Sequence, residues 1–343
     1  MSASSTPASR ATESQPRGFT ILELLVSIAT LVILFLILAH ALTQTSNIWT
    51  FGRANSDNLE NMRAIGDSVA NDLRAALLPL DRTMATGTNL QFLVNPAGIT
   101  AAKFNNPDAA FWQAPVAVDT SLGDAAEVGY FVKWDTAVNP GDPETNPQNP
   151  KAALCRFLIN PGAAGVSNSN YLIYSTPAAW LSDNIIQSVA PGSSAQSYQG
   201  LFAENVIGLW VRCLDAYGQP ITKTFAGAAY ANHAYDSRLG YMDSSGTTSA
   251  SFIDSAGQAA PLCALPPVVE VSIAMIDSHA ASKVTPAVMS AIVSLEGRLS
   301  TSPAANADGF VSAVLASPAA SGLQSIMANL RSYQTRVYIM GSK

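Results

Sequence analysis

The side chain most in need of a chemical explanation is Glu23. It sits just inside an apolar run, and between it and Arg53 there is no Asp, Glu, Lys or Arg. His40 is the only ionisable group in that interval. A carboxylate at the edge of a segment long enough to cross a bilayer is costly in lipid and invites a functional explanation. Just upstream, Arg17-Gly18-Phe19 places a small residue at a candidate cleavage point. An ordinary secretory signal is cut after its apolar core. Here the candidate cut precedes the core, so cleavage between Gly18 and Phe19 leaves the hydrophobic helix on the mature chain.

Other polar residues suggest weaker chemistry. His233 lies near Tyr235, Asp236 and Arg238, a set that reads as a solvated loop before it reads as a site. His279 follows Asp277-Ser278 and reads as a turn residue. Asp236, Asp243 and Asp254 offer hard oxygen ligands for calcium, but their spacing matches no calcium loop. Neither HExxH, GxSxG, GxxxxGK[ST] nor GxGxxG occurs. Cys155, Cys213 and Cys263 form no CxxC pair, which leaves three buried thiols or one disulfide with a free thiol. Trp49, Trp112, Trp134, Trp180 and Trp210 are scattered and read as packing residues. No catalytic residue, metal ligand or cofactor is assigned, and the chain is not read as an enzyme. A net charge of -6 supplies no basic excess to displace counterions from phosphate, so nucleic acid is an unexpected partner.

The surrounding elements follow from composition. Residues 1–18 are rich in Ser, Ala and Thr and form a polar leader. Residues 19–42 form a transmembrane helix, with Arg10 and Arg17 predicting that its N-terminal end stays cytoplasmic. Residues 43–78 continue as an amphipathic stem. Leu59, Met62, Ile65, Val69, Leu73, Ala76 and Leu77 recur every three or four positions and share a face. Leu78-Pro79 is a natural stop, and Gly52 and Gly66 permit gentle bends. A coiled-coil stalk is disfavoured because sustained heptad charge pairs are missing.

The segment Gly18-Phe19-Thr20-Ile21-Leu22-Glu23-Leu24-Leu25-Val26 resembles the prepilin signature of type IV pilins and type II secretion pseudopilins. The resemblance implies that a membrane prepilin peptidase cuts after Gly18 and methylates the new terminus at Phe19. It also implies that Glu23 pairs with the amino terminus of a neighbouring subunit in a filament. The physics agrees, since two opposite charges meeting in a low dielectric offset each other's desolvation.

In the head, residues 79–343, short apolar runs punctuated by Asn, Pro and Gly read as strands. They are placed at Leu90–Val94, Glu127–Asp135, Ala153–Ile159, Glu204–Leu214, Pro267–Asp277 and Ser332–Met340, with Ile221–Phe225 returning from a turn at Asp215–Pro220. In Glu127–Asp135, the residues Val128, Tyr130, Val132 and Trp134 share one face. A shorter strand is placed at Tyr171–Tyr174. Residues 95–126, 139–150, most of 160–200, and 226–264 read as loop. Thr285–Leu299 and Gly309–Leu330 read as helices, the second broken by Pro318. No internal repeat is evident.

The fold expected is α+β and pilin-like, a long N-terminal helix packed on an antiparallel-sheet head. The strand order around residues 204–214, 267–277 and 332–340 is similar to the J-type minor pseudopilins and to Verru_Chthon cassette protein C, although the helical stretch 285–330 departs from the usual small head. The expected role is a structural and assembly subunit. It would be anchored in the inner membrane with the head periplasmic, and its partners would be the prepilin peptidase and other pilin-like subunits. The alternative is a pilus-tip adhesin using loops 95–126 and 226–264.

Overall fold

The computed structural model of the chain describes residues 20–78, 82–83, 92–96, 108–117, 123–135, 150–159, 199–231, 233–300, 306–316 and 322–339. It divides into two compact units, Met1–Ala54 and Asn55–Lys343. Helix α1, Ile21–Arg74, contributes residues to both, and each unit is described by itself.

In the first unit α1 is apolar all round. Ile21–Ser46 has a mean hydropathy of 2.9, and its most apolar window is wholly unburied. At about 1.5 Å per residue, this stretch is longer than the roughly 30 Å hydrocarbon layer of a bilayer. Among the described residues it is the one helix long and apolar enough to cross a membrane, a test that N-terminal signal sequences also pass.

In the second unit α1 is amphipathic. Met62, Ile65, Val69 and Leu73 are buried in a core shared with two sheets, whereas Leu59 is 38% exposed. The helix stops at Arg74, short of the expected Leu78. The Leu77 amide is taken by the Gln113 carbonyl at 2.8 Å, so the sheet ends the helix before Pro79 can. Gly66 has a packing role. A Cβ there would lie 2.3 Å from the Tyr333 ring, so the glycine lets an aromatic side chain rest on the helix.

Eleven strands are described. They are β1 Phe92–Val94, β2 Ala109–Ala114, β3 Ala126–Asp135, β4 Lys151–Ile159, β5 Gln199–Glu204, β6 Val206–Leu214, β7 Tyr235–Asp236, β8 Ser251–Ile253, β9 Ala259–Pro261, β10 Val268–Met275 and β11 Arg331–Tyr338. They form an antiparallel sheet in the order β5-β4-β3-β2-β1-β7, a three-stranded antiparallel sheet β11-β10-β6, and the hairpin β8-β9. The chain passes between the two larger sheets at one residue, Asn205, in the left-handed region with φ 62°. Its amide donates to the Ala152 carbonyl and its carbonyl accepts from the Ile276 amide, so it stitches the sheets where it leaves one for the other.

The fold is therefore α+β, with antiparallel sheets as expected. Several elements differ from the sequence reading. β2 occupies part of the stretch expected as loop. Its AAFWQA sequence is buried on both faces and so lacks the alternation that marks a half-solvated strand. In β3, Val128, Tyr130 and Val132 enter the stem-facing core while Trp134 joins a second cluster, and Glu127 and Phe131 are buried on the other face. Residues 226–264 are not irregular, as the turns described below show. The expectations for 171–174 and 139–149 lie outside the described residues.

Four helices are described after β10: α2 Ser278–Ala281, α3 Pro286–Ser300, α4 Ala307–Ala316 and α5 Gln324–Met327. Ile292 of α3 and Phe310 of α4 pack with Trp210 and Ala274, on the side of the three-stranded sheet away from the stem. His279 lies in α2, not in a turn. Asp277 caps that helix through the Ala280 amide and also accepts from Asn329.

Candidate functional site

Glu23 lies in the first turn of α1, and its surroundings are a reciprocal cap. The Thr20 amide donates to Glu23 Oε2 at 3.0 Å, and the Thr20 hydroxyl donates to the same oxygen at 3.1 Å. The Glu23 amide lies 3.3 Å from Thr20 Oγ1, which accepts from it. The Thr20 carbonyl takes the first helical bond, from Leu24. This is a capping box, in which a Thr and a Glu three residues later satisfy each other's orphan amides. The carboxylate also lies where the helix dipole favours negative charge. Glu23 Oε1 has no hydrogen bond among the described residues. The T-x-x-E spacing was the readable signal, and the sequence reading passed over Thr20. Gly18 and Phe19 lie outside the described residues.

Among the weaker candidates, His233 takes the left-handed backbone region with φ 57°, and the aspartates are put to structural use. Asp236 accepts the Arg238 amide and guanidinium, with an ion pair at 2.6 Å, and caps a short 3-10 turn at Ser237–Leu239. Tyr235 is buried, and its hydroxyl donates to the Ala264 carbonyl. Asp243 and Asp254 do not converge on a cation. Each closes its own turn by accepting the amides two and four residues on, at Ser245 and Thr247, and at Ala256 and Gln258. Asp215 does the same with Tyr217 and Gln219. Each turn returns through a glycine of positive φ, at Gly218, Gly246 and Gly257. The sequence thus carries a short repeat, D-x-x-G-[QT], at residues 215, 243 and 254, which the sequence reading missed. No group of three or more His, Cys, Asp or Glu suited to a metal occurs among the described residues.

Cys155, Cys213 and Cys263 are buried thiols outside any disulfide. Burial pushes the Cys155 thiol up to about 11 and Cys213 higher still, so neither is a ready nucleophile at neutral pH. Trp112, Trp134 and Trp210 are buried, and Trp49 is exposed on α1. Trp180 lies outside the described residues.

Three buried polar features stand out in the second unit. Asp72, on the stem, accepts the Tyr130 hydroxyl at 2.6 Å and Arg156 Nε at 2.9 Å on one carboxylate oxygen. Its carbonyl accepts Trp112 Nε1 at 3.0 Å. β2, β3 and β4 thus each send one side chain to a single helix residue. Asp108 pairs with Arg212 in the interior and accepts the Val211 amide, closing the outer edge of β6. Gln113 and Glu127 are cross-strand neighbours with no exposed surface, and neither makes a well-formed side-chain hydrogen bond among the described residues. Burial pushes the Glu127 carboxyl well above its ordinary range, with Gln113 offsetting little of the effect. A cavity of about 580 Å³ lies beside β5, lined by residues including Asn61, Ile65, Phe202, Glu204, Met275 and Ser278. Among the described residues its lining contains neither His nor Cys.

The chain matches no family model, no curated protein and no solved structure.

Proposed function

We propose that this protein is a membrane-anchored, prepilin-like subunit that is cut after Gly18, methylated at Phe19 and assembled into a type II secretion or type IV pilus-like filament. The observation that carries the reading is the junction at residues 18–26. A Gly-Phe cleavage point, a capped Glu23 and an exposed apolar helix follow one another without interruption. Such a helix is an anchor before assembly and a packing surface after it. The antiparallel head with the stem residues Met62 to Leu73 in its core is what a pilin-like fold requires. On this reading the head is periplasmic and the helix spans the inner membrane. The prepilin peptidase and other pilin-like subunits are the partners, and Glu23 supplies the counter-charge for a neighbour's amino terminus.

The test is Gly18→Leu, expressed in the native host. The expected result is loss of the size shift and of the Phe19 amino terminus on sequencing. Glu23→Gln should be cut normally and should fail to copurify other pilin-like subunits. A wild-type chain that is never cut at Gly18, or a Glu23→Gln chain that assembles normally, refutes the proposal.

A further inference from the structure

We infer that Ile48 and Trp49 are an interfacial anchor: they lie in the lipid headgroup layer on the side of the membrane away from Gly18, and they fix how deeply α1 sits in the bilayer. The inference rests on the membrane-anchored reading of that helix. Two large apolar side chains stand exposed in a stretch that composition assigns to water. Ile48 is 73% exposed and Trp49 is 78% exposed, and both come after Thr43, Gln44, Thr45 and Ser46 have ended the apolar run. The other described tryptophans, Trp112, Trp134 and Trp210, are buried. Helix α1 continues unbroken through both residues, so their height along its axis follows from the helical rise.

The Glu23 carboxylate is better solvated among headgroups than among tails, so the hydrocarbon begins near Leu24. About 20 helical residues cross it, which puts its far edge near Gln44. Trp49 then lies about 7 Å farther on, within a headgroup layer about 5–7 Å thick. An indole has an apolar body and one N–H donor, which suits that layer, and tryptophan is enriched there. Arg53, the first charged side chain after Glu23, is exposed one turn beyond Trp49, where water begins. The polar residues before Ile48 do not oppose this depth, because they bond within the helix. The Thr43 hydroxyl donates to the Ala39 carbonyl at 2.9 Å, and the Thr45 hydroxyl donates to the Ala41 carbonyl at 2.8 Å. Gln44 Nε2 donates to His40 Nε2 at 2.9 Å. Polar groups satisfied inside their own helix can sit at the edge of the hydrocarbon. The helix therefore leaves the membrane at Trp49, two turns after the apolar run closes at Leu42.

The experiment uses the full chain reconstituted into phosphatidylcholine vesicles. The Trp49 emission is the difference between wild type and Trp49→Phe, and it is read with a nitroxide on the lipid headgroup or deep on the acyl chain. The headgroup nitroxide is expected to lower that emission about twofold or more, and the deep one to act more weakly. A second reading uses a membrane-impermeant maleimide on Thr45→Cys and on Gly52→Cys, where a Cβ meets nothing within 4 Å. The native cysteines are buried and give a low background. Thr45→Cys is expected to label about fivefold more slowly than Gly52→Cys, and adding Ile48→Ser and Trp49→Ser is expected to bring the two rates together. Stronger quenching by the deep nitroxide overturns the inference. So does quenching by neither lipid in a chain that floats with the vesicles, which assigns Trp49 to water or to a neighbouring protein. Equal labelling at the two positions without the serine substitutions also overturns it, as does a difference that survives them. A chain that does not float with the vesicles instead refutes the underlying membrane-anchored reading, and the anchor falls with it.

Discussion

Asp72 holds the end of the stem to three strands at once, and replacing it with alanine measures that attachment. Two bonds end on its carboxylate, from Tyr130 and from Arg156. Their losses are unequal. Tyr130 is 1% exposed, so its hydroxyl loses the acceptor for its proton and keeps only the bond it accepts from Arg156 Nε at 3.2 Å, a loss of about 1–3 kcal/mol. The Arg156 side chain is 26% exposed and can turn to water, so its share is about 0.5–1 kcal/mol. The Trp112 bond goes to the Asp72 backbone carbonyl and survives. Asp72→Ala should therefore cost about 2–4 kcal/mol. Asp72→Asn keeps an oxygen for Tyr130 and should cost about 1 kcal/mol. The assay is denaturant unfolding of the full chain in detergent, followed by tryptophan fluorescence, because Trp112 stacks on Tyr130 with ring centroids 5.8 Å apart. A double-mutant cycle with Tyr130→Phe should return a coupling of about 1 kcal/mol or more. A loss below about 0.5 kcal/mol for Asp72→Ala, or no coupling to Tyr130, refutes the idea that this carboxylate locks helix to sheet.

Two further expectations concern pH. Glu127 has a carboxyl raised in the folded state relative to an ordinary value of 4.5, so its contribution is intact below that value and is lost as pH rises toward the folded one. Glu127→Gln should be close to neutral at pH 4 and more stable than wild type at pH 7, read from unfolding midpoints at the two pH values. Asp215 titrates the other way. Burial raises its carboxyl, but bonds from the Ser244 side chain and from the amides of Ser244, Gln219 and Tyr217 outweigh that and hold it below 3.8, so its contribution is present above that value and is lost as pH falls through the folded one. Asp215→Asn should cost about 1–3 kcal/mol at pH 7, and the gap to wild type should close on acidification.

What could be read in the sequence depended on how each element is solvated. The apolar span and the stem were legible because one is apolar all round and the other alternates with the helical period, as Met62, Ile65, Val69 and Leu73 do. β3, β4, β6, β10 and β11 were legible from β-branched and aromatic runs. β2 was not, because a strand buried on both faces has no polar phase to reveal it. The turns at Asp215, Asp243 and Asp254 were hidden for a different reason. Their order comes from Asx bonds and glycines of positive φ, which look like loop composition until the spacing of Asp and Gly is compared between them. At the candidate site Glu23 was conspicuous as a lone charge, whereas Thr20 was inconspicuous as one more small polar residue. The Asp72 cluster joins residues far apart in sequence, and no local pattern announces it.

The three-stranded sheet has an order-of-synthesis consequence. β10 lies between β6 and β11, and Val337 and Ile339 complete the core that covers Met62, Ile65, Val69 and Leu73. The stem's dry face and the strand that seals it come from opposite ends of the described chain. During synthesis the apolar span and the stem emerge before the head, and the stem must wait bare until β11 has been made. The hairpins at 215–261 close locally in the meantime, whereas the central core forms only with long-range pairing, which is slow and leaves apolar surface open to aggregation. If the head crosses a membrane, it does so before this seal exists, and a stall late in export leaves a tethered chain with an unsealed core.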